Sequence, residues 1–434
     1  ASNGFDLIIG NPPYVKFQDL DQKTRTNLQS RWQTPQFGSF NLYFPFFELG
    51  INEITEDGQV IYISPNNYFT SLSGIHLRTW LHMNTYIEKI IDFHSEKVFQ
   101  AQTYTAITFL NKKNKTTISL AKNYEKMDPR KFLLKPSFSE ISYQSQKNKK
   151  WRIMPQEDYD NIKIIESEKY NIGEIYDIRV GIATLKDSIY IIDNLDASDS
   201  EHYYISNNGK SYQIEKTITR PFYKISEFSN QKDVDLNNKK IIFPYEVKNR
   251  TATVYPEQIL KNKFPKTWNY FKEVKFILNQ RNKGNINLSE FYEYGRSQAL
   301  TWDKKKIITP TFSKKPKFLV IEDPVSLISN GYGLYFKEQG INYNLKENKI
   351  FKLSLKILNS IVMDYYAEMT SYLIQGGYPC YQKNFIEKFC FPDLEDSHIE
   401  QILKLDGRHL DEFLIDEYKL KITRNLEYKI NNRR

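Results

Sequence analysis

Short apolar runs and longer amphipathic stretches alternate over the first 110 residues of the chain. Four apolar runs are short enough to be strands, at residues 5–9, 60–63, 90–93 and 105–110. Residues 43–52 and 75–90 space their apolar side chains as one face of a helix. The first run is apolar at nearly every position, which fits a buried parallel strand. Strand and helix in alternation predict part of a doubly wound α/β sheet.

Beyond residue 110 the pattern changes. Residues 111–152 are polar and basic, and we place a domain junction near residue 150. Later apolar runs are bounded by Gly, Asn or Pro, which predicts strands at residues 189–192, 241–243, 307–309, 318–321 and 333–336. Apolar residues at steps of three and four predict helices at 355–372 and 410–418. We therefore predict a partial, Rossmann-like α/β domain at residues 1–150, without its first strands, and an α+β domain at residues 151–434.

The composition is that of a globular protein with an excess of positive charge. Of 434 residues, 40% are hydrophobic and 26% are charged, and 61 Lys and Arg against 52 Asp and Glu leave a net charge of +9. This excess permits binding to a polyanion without requiring it. The chain also has 31 Tyr, 28 Phe and 5 Trp. Many of these must be core residues, but aromatic rings beside basic side chains also hold unstacked bases.

Cysteine and histidine usage narrows the class of protein further. The two cysteines, Cys380 and Cys390, exclude a disulfide framework and a four-cysteine zinc site, and the six His are not at ligand spacing. We therefore expect no metal ion and a reducing, cytoplasmic location. No apolar run is long enough to span a membrane. Because the chain begins with Ala1 instead of an initiator Met and leads straight into a strand, we expect it to be an internal segment of a longer protein.

The residues Asn11, Pro12, Pro13 and Tyr14 directly follow the first predicted strand. Ligands of open α/β sheets bind at the carboxyl ends of the strands, so these residues have the position of an active-site loop. A plain turn that ends a strand is the alternative.

These residue types suit methyl transfer to an exocyclic amine, which is a poor nucleophile because its lone pair is delocalised into the ring. The amide oxygen of Asn11 and the carbonyl of Pro12 can accept the two amine hydrogens and direct the lone pair at an electrophilic methyl group. The two prolines stiffen the loop. Tyr14 offers a ring on which a base can stack after it leaves the duplex.

At these residues the chain resembles the amino-group (γ-class) DNA adenine-N6 methyltransferases, in particular the TaqI-type and type IIG restriction–modification enzymes. Residues 38–46, 98–99 and 106–109 are similar to segments that follow the catalytic loop in that family. The resemblance implies a methyltransferase domain that uses S-adenosylmethionine. It also implies that Pro13 and Phe46 contact this cofactor and that Phe99 stacks on the flipped adenine opposite Tyr14. Core packing is the alternative for both Phe46 and Phe99.

The second predicted domain resembles the TaqI-like target-recognition domain. Residues 181–187 are similar to its opening, and the segments around Arg220, Phe243 and Gly376 match later landmarks. The resemblance implies that double-stranded DNA is the partner and that Thr184 and Lys186 are among the DNA contacts.

Other side chains of the second domain are candidate DNA contacts by their chemistry. Arg296 and Gln298 have the donor and acceptor groups that read base edges. Two basic runs are suited to phosphate, and they consist of Lys304, Lys305 and Lys306 and of Lys314 and Lys315. Solvated surface is the alternative for each run.

The chain also departs from the family pattern. It lacks the Gly-rich cofactor loop and the acidic ribose-binding residue, and its Gly-x-Gly at Gly331 and Gly333 is expected to be a hairpin, because no helix follows it. We expect the main cofactor loop, and the nuclease or helical region of type IIG enzymes, to precede this segment in the full-length polypeptide. The segment alone is expected to bind S-adenosylmethionine poorly and to be inactive.

The sequence is thus interpreted as part of a site-specific DNA adenine-N6 methyltransferase of a restriction–modification system. A glutamine methyltransferase of release factors is one alternative, because a planar amide poses the same chemical problem. The long strand-rich extension argues against it. A non-catalytic DNA specificity module is the other alternative, and the intact residues 11–14 argue against that.

Overall fold

In the computed structural model, the described residues are 4–36, 40–100, 103–146, 150–193, 198–281, 288–337, 346–374 and 376–433. The chain divides into two compact units. Unit 1 comprises Ala1–Ile164, Glu368–Tyr378 and Lys419–Arg434, and unit 2 comprises Ile165–Ala367 and Pro379–Tyr418. The first junction therefore follows residue 164 instead of residue 150, and two late segments return to unit 1.

Polar side chains attach the last of these segments to the end of the first segment of unit 1. Asp158 is 1% exposed and accepts hydrogen bonds from Thr423 Oγ1, at 2.6 Å, and from Asn425. Asn161 Nδ2 donates to Lys421 O at 2.8 Å. Such pairs join residues far apart in the chain and leave no periodic pattern, so hydrophobic spacing does not reveal them.

The strands, in chain order, are β1 (Phe5–Gly10), β2 (Ile54–Pro65), β3 (Ile87–Asp92), β4 (Thr105–Leu110), β5 (Thr117–Lys122), β6 (Ser139–Ser142), β7 (Tyr170–Asn171), β8 (Tyr176–Val180), β9 (Ile191–Ile192), β10 (His202–Asn207), β11 (Lys210–Glu215), β12 (Thr219–Lys224), β13 (Lys240–Ile242), β14 (Tyr245–Lys248), β15 (Thr251–Val254), β16 (Lys306–Pro310), β17 (Leu319–Ile321), β18 (Leu327–Ser329), β19 (Gly331–Phe336), β20 (Leu373–Ile374), β21 (Tyr378–Pro379) and β22 (Cys390–Phe391).

The helices, in chain order, are α1 (Gln22–Arg31), α2 (Phe44–Glu53), α3 (Ile75–Met83), α4 (Pro129–Leu134), α5 (Gln156–Ser167), α6 (Ile172–Ile175), α7 (Asp187–Tyr190), α8 (Gln231–Asp235), α9 (Glu257–Lys263), α10 (Pro265–Asn279), α11 (Glu347–Leu358), α12 (Ile361–Thr370), α13 (Lys383–Ile386), α14 (Asp396–Lys404), α15 (Gly407–Glu417) and α16 (Arg424–Asn432). No helix within the described residues combines the length and the apolar composition needed to cross a bilayer.

Unit 1 is built on a mixed six-stranded sheet in the order β1-β2-β4-β3-β5-β6. β1 is parallel to β2 and β3 is parallel to β5, whereas β4 is antiparallel to both of its neighbours. Helices α2 and α3 contribute Phe47, Leu77 and Leu81 to a core that also contains Val60 and Ile90 of the sheet. The predicted α/β class is confirmed in this general form, as a mixed sheet packed against helices.

The predicted burial of β1 is wrong. Phe5, Leu7 and Ile9 are 60%, 52% and 70% exposed. β1 is an outer strand that pairs with β2 alone among the described residues, and it directs Ile8 toward the core. An apolar run indicates a strand, but it does not indicate whether that strand is central or at the edge of its sheet.

Both long helix predictions differ from the structure at a turn. The helix predicted at residues 75–90 ends at Met83, because the chain turns through Thr85, whose φ is 50°, into β3. The helix predicted at residues 355–372 is two helices, α11 and α12, which are separated at Asn359. The Asn359 amide donates to Leu355 O at 3.0 Å, where it caps the end of α11.

Two smaller predictions in the second half also change. Residues 189–192, predicted as a strand, form the end of α7 and the short strand β9. Gly331 and Gly333 lie within β19, which pairs with β16 and β8, so they do not form the expected hairpin. A Cβ on Gly331 would be 2.3 Å from Thr309 O, which explains why a residue without a side chain stands there.

Unit 2 contains two four-stranded sheets, in the orders β18-β12-β13-β9 and β17-β16-β19-β8, with smaller two-stranded ribbons beside them. One cluster of buried apolar residues in this unit joins β9, β12 and β13 to α10, with Tyr190, Phe271 and Tyr292 among its members. Strands in separate sheets with helices outside them give this unit an α+β composition.

Candidate active site

Four of the described strands of the unit 1 sheet, β1, β2, β3 and β5, have their carboxyl ends at one edge, which we call the carboxyl edge. β1 and β2 are parallel, and β2 and β3 are each antiparallel to β4, so the carboxyl ends of β1, β2 and β3 lie together. The loops that follow these strands begin at Asn11, Asn66 and Phe93. They therefore share the edge at which open α/β sheets hold ligands.

Residues 11–14, which we call the site loop, lie between fixed neighbours. The strand before them is close to β2, and a Cβ on Gly10 would be 2.9 Å from Tyr62 Cε1, so only glycine fits there without a shift. The residue after them accepts a hydrogen bond, from Leu42 N to Val15 O at 2.8 Å. Backbone contacts on both sides thus limit the movement of the site loop.

The four residues of the site loop differ in their exposure. Pro12 is buried, Asn11 and Pro13 are exposed, and Tyr14 is half-buried. The amide of Asn11 is therefore accessible from solvent, while the proline between it and Tyr14 is packed into the protein.

Tyr14 is held at two points. Its hydroxyl donates to Ile63 O of β2 at 3.2 Å, and its ring meets the ring of Tyr43 edge-on, with centroids 6.3 Å apart and an angle of 76° between the planes. Burial raises the pKa of the Tyr14 hydroxyl to about 12. The side chain is therefore neutral at physiological pH and serves as a ring surface instead of a proton carrier.

Phe99 and Phe46 occupy different surroundings. Phe99 is 36% exposed and lies in the loop between β3 and β4, which starts at the carboxyl edge. Phe46 is half-buried on α2 and packs against the unit 1 core. Residues 38 and 39 of the segment before α2 lie outside the described residues.

A polar cluster at the carboxyl edge was missed from the sequence. Asp92, at the end of β3, accepts hydrogen bonds from Asn66 Nδ2 at 2.9 Å and from His94 N at 3.0 Å. It thereby ties the loop after β2 to the loop after β3. Burial, together with nearby Lys122, lowers the pKa of His94 well below its usual value. Asp92 could have been found by the rule that located Asn11, because it lies near the carboxyl end of the strand predicted at residues 90–93.

The candidate DNA contacts of unit 2 include two adjacent segments. Ala183 and Arg296 exchange backbone hydrogen bonds, of 3.2 Å from Ala183 N to Arg296 O and 2.9 Å in return. The side chains of Lys186, Arg296 and Gln298 are exposed on these segments. Thr184 is 1% exposed, and its hydroxyl donates to Asp187 Oδ1 at 2.6 Å. The expectation that Thr184 contacts DNA is therefore wrong, because its side chain is buried and its hydroxyl is bonded to Asp187.

Arg281 holds the backbone of these segments through hydrogen bonds, although no pattern in the sequence pointed to it. It is 4% exposed, and its guanidinium donates to four backbone carbonyls, namely Leu278 O at 2.9 Å, Thr184 O at 3.0 Å, Glu293 O at 2.7 Å and Phe291 O at 2.7 Å. A buried arginine bonded to carbonyls is a structural clamp, which charge patterns do not distinguish from a surface arginine.

The basic run at residues 304–306 is not a uniform surface. Lys306 is fully buried, and its ammonium donates to Ser326 O at 2.8 Å, Ser326 Oγ at 2.9 Å and Pro324 O at 3.2 Å. Its predicted contact with phosphate is therefore wrong. Lys305 pairs with Glu322 at 2.8 Å and stands over the ring of Phe351. Lys304 is exposed.

Both residues of the second basic run, Lys314 and Lys315, are exposed in the segment between β16 and β17.

Within the described parts of the chain, no group of three His, Cys, Asp or Glu side chains is arranged to hold a metal ion.

Comparisons with known proteins agree with the resemblance seen at the site loop. Residues 1–99 match the model of the family described as Eco57I restriction-modification methylase. The chain is 29% identical over 395 residues to the type II restriction enzyme and methyltransferase RM.Eco57I of Escherichia coli, which covers 86% of this chain and 39% of that protein. It is 22% identical over 449 residues to the type II methyltransferase M.BstVI of Geobacillus stearothermophilus, which covers 96% of this chain and 74% of that protein. The predicted resemblance to restriction–modification methyltransferases is thereby confirmed.

Among solved structures, the type IIL restriction-modification enzyme MmeI in complex with DNA is similar, with a TM-score of 0.61 and 12% sequence identity over 98% of this chain and 56% of that chain. At this identity the match shows a shared fold alone. The chain spans less than two thirds of the length of MmeI and of the E. coli relative.

Proposed function

We propose that this chain is part of a site-specific DNA adenine-N6 methyltransferase of a restriction–modification system. Unit 1 carries the part of the active site that orients the amine, and unit 2 recognises the DNA target. The observation that carries this proposal is the site loop, with Asn11 exposed and Tyr14 half-buried at the carboxyl edge of the sheet.

The site loop would act by holding the two hydrogens of the adenine amine. The Oδ1 atom of Asn11 and the carbonyl oxygen of Pro12 are the two acceptors, and together they draw the nitrogen toward tetrahedral geometry. Its lone pair is then free for the methyl group that bound S-adenosylmethionine supplies. Because the two prolines and the backbone contact at Val15 limit movement of the site loop, the Pro12 carbonyl needs little reorganisation at the moment of transfer.

The aromatic residues would hold the base outside the duplex. Tyr14 presents its ring at the site loop, and Phe99 is partly exposed on a loop that starts at the same edge. Stacking on an aromatic ring offsets part of the cost of removing a base from its neighbours. Since burial raises the pKa of Tyr14 to about 12, the ring stays neutral and retains its stacking surface across the physiological range.

Two residues fit one part of the cofactor. Pro13 is exposed in the site loop and Phe46 is half-buried on α2, so both offer apolar surface to solvent. Such surface suits the adenine ring of S-adenosylmethionine. Pro13 and Phe46 would contact a minor part of the surface of S-adenosylmethionine.

Target recognition is assigned to the exposed side chains of unit 2. Arg296 and Gln298 are exposed on a segment whose backbone is paired with residue 183 and supported by Arg281. Base reading requires donors and acceptors on a rigid support, and Lys186, Lys304, Lys314 and Lys315 supply exposed positive charge for phosphates.

Methyl transfer by the full-length protein tests the proposal. The protein is incubated with S-adenosylmethionine labelled in its methyl group, together with duplex DNA and with a cell protein extract, and the label is counted in each fraction. We expect label in DNA. Label in protein would favour a glutamine methyltransferase, and DNA binding without any transfer would favour a non-catalytic specificity module.

A further inference from the structure

Tyr43 connects two loops of the carboxyl edge. It is completely buried at the start of α2, and its ring meets Tyr14 edge-on. Its hydroxyl lies 2.9 Å from Asn67 Oδ1 and 3.2 Å from Pro65 O, at the end of β2. One side chain thus joins the site loop to the loop after β2.

The contact between the Tyr43 and Tyr14 rings limits a rotation of the Tyr14 ring that the hydrogen bond of Tyr14 to Ile63 O leaves possible. The hydrogen bond to Ile63 O holds the Tyr14 hydroxyl at one end of the ring, but the ring can still rotate about the axis that ends in this hydroxyl. The ring of Tyr43 stands beside the ring of Tyr14, with an angle of 76° between the two planes, and opposes this rotation. Edge-to-face contacts of this kind favour one orientation of the two rings.

The orientation of Tyr43 depends in turn on its own hydroxyl. A fully buried hydroxyl is costly without a hydrogen-bond partner, so the Tyr43 ring is held where the oxygens of Asn67 and Pro65 can accept its proton. Asn67 is exposed and Tyr14 is half-buried, so this chain of contacts reaches the protein surface at both of its ends.

We propose that Tyr43 and Asn67 are positioning residues for Tyr14, which set the plane of its ring so that a target base can stack on it. This inference rests on the proposed function and names two residues to which neither the resemblance nor the comparisons give a role. Neither side chain reacts; both act through the ring of Tyr14.

Tyr68 is a matched control for Tyr43. It is also completely buried, and its hydroxyl makes one side-chain hydrogen bond, at 2.9 Å from Thr108 Oγ1. Its ring contacts Tyr43, but among the described ring contacts it does not touch Tyr14. Tyr68→Phe therefore removes a buried hydroxyl of the same kind without changing a direct contact of the Tyr14 ring.

The orientation of the ring can be measured without any activity. Tyr14 is replaced by 3-fluorotyrosine in the full-length protein, and its fluorine resonance is recorded. The wild-type protein should give one narrow line. Tyr43→Phe and Asn67→Leu should broaden or split this line, because the ring gains a second orientation. Asn67→Asp, which keeps an acceptor oxygen for Tyr43, and Tyr68→Phe should leave it unchanged.

The same variants separate this inference from the proposed function. With Tyr43→Phe we expect the rate of methyl transfer at saturating DNA to fall about fivefold, the equivalent of one buried hydrogen bond, while DNA affinity and thermal stability match those of Tyr68→Phe. An unchanged fluorine line in Tyr43→Phe, or equal broadening in Tyr68→Phe, would overturn the positioning role. If the wild-type protein transfers no methyl group to DNA, the proposed function fails, and the fluorine line still decides the inference.

Discussion

The two units hold their polar side chains in different ways. In unit 1, contacts on both sides fix the site loop, and Tyr14 meets protein on one side and solvent on the other. In unit 2, lysines close together in the chain range from Lys306, which is surrounded by carbonyl and hydroxyl oxygens, to Lys314, which is exposed. A site made of fixed atoms loses function abruptly when one atom is removed, whereas a charged surface loses affinity in small steps.

The largest effect is expected in the site loop. Asn11→Ala removes one of the two proposed acceptors for the amine, and the rate of methyl transfer by the full-length protein should fall about a thousandfold. DNA affinity should change less than about twofold, because this amide is one contact among many. Asn27→Ala, on the exposed face of α1, is the matched control and should keep full activity. A decrease of less than tenfold for Asn11→Ala would remove the steep behaviour assigned to unit 1.

Lys306 should affect stability and not DNA binding. Lys306→Met leaves the buried oxygens of Ser326 and Pro324 without their donor, and the free energy of unfolding should fall by about 2 kcal/mol. Lys304→Met, at an exposed position, should change it by less than about 0.5 kcal/mol. Denaturant unfolding measures both. A weaker salt dependence of DNA binding in Lys306→Met would contradict the assignment of this lysine to the core.

The same lysine predicts a pH dependence. Burial lowers the pKa of Lys306 from 10.5 to about 8. Between these two values the unfolded chain binds a proton that the folded chain has released, so the free energy of unfolding increases with pH. The wild-type protein should therefore gain stability relative to Lys306→Met as the pH rises from 8 to 10.5. Parallel stability curves for the two proteins would argue against the lowered pKa.

Arg296 should act on specificity. If its guanidinium reads a base edge, Arg296→Ala should lower affinity for the target sequence by about 1–3 kcal/mol and relax the preference at one base pair. Affinity for unrelated DNA should change much less. Sequencing of the methylated sites would show the relaxed position. An equal loss of affinity for target and unrelated DNA would assign Arg296 to a phosphate instead.

The smallest effects belong to the second basic run. Replacing Lys314 and Lys315 together with Met should lower affinity about tenfold at low salt for any DNA sequence, and the salt dependence should weaken by about two counterions. Lys272→Met, at an exposed position on α10, is the control for loss of charge alone. An unchanged salt dependence in the double variant would remove this run from the interface.

The elements around the site loop could be predicted because each left a local pattern. The apolar run before Asn11 predicted β1, and the rule that ligands bind at the carboxyl ends of strands predicted the position of the loop. β4 has the predicted bounds, Thr105–Leu110. The exposure of β1 could not be predicted, because it depends on which strands stand beside it in the sheet.

The remaining differences involve contacts between residues distant in the chain. Asp92 joins the loop after β3 to the loop after β2 through Asn66. Arg281 donates to the backbone of Glu293, and Lys306 donates to the backbone of Ser326 inside unit 2. In the sequence each is an ordinary charged residue. The basic runs in the sequence therefore predicted more exposed positive charge than the structure has. Lys306 and Lys304 look alike in the sequence, but Lys306 is buried and Lys304 is exposed.

The identity of the methylated atom tests the central claim most directly. Duplex DNA is treated with the full-length protein and S-adenosylmethionine labelled in its methyl group, and then digested to nucleosides for separation by mass. We predict that the label is found in N6-methyladenine and is lost with Asn11→Ala. Label on a ring carbon of cytosine would contradict the account, because that reaction needs a covalent nucleophile, for which two acceptors on the site loop are no substitute.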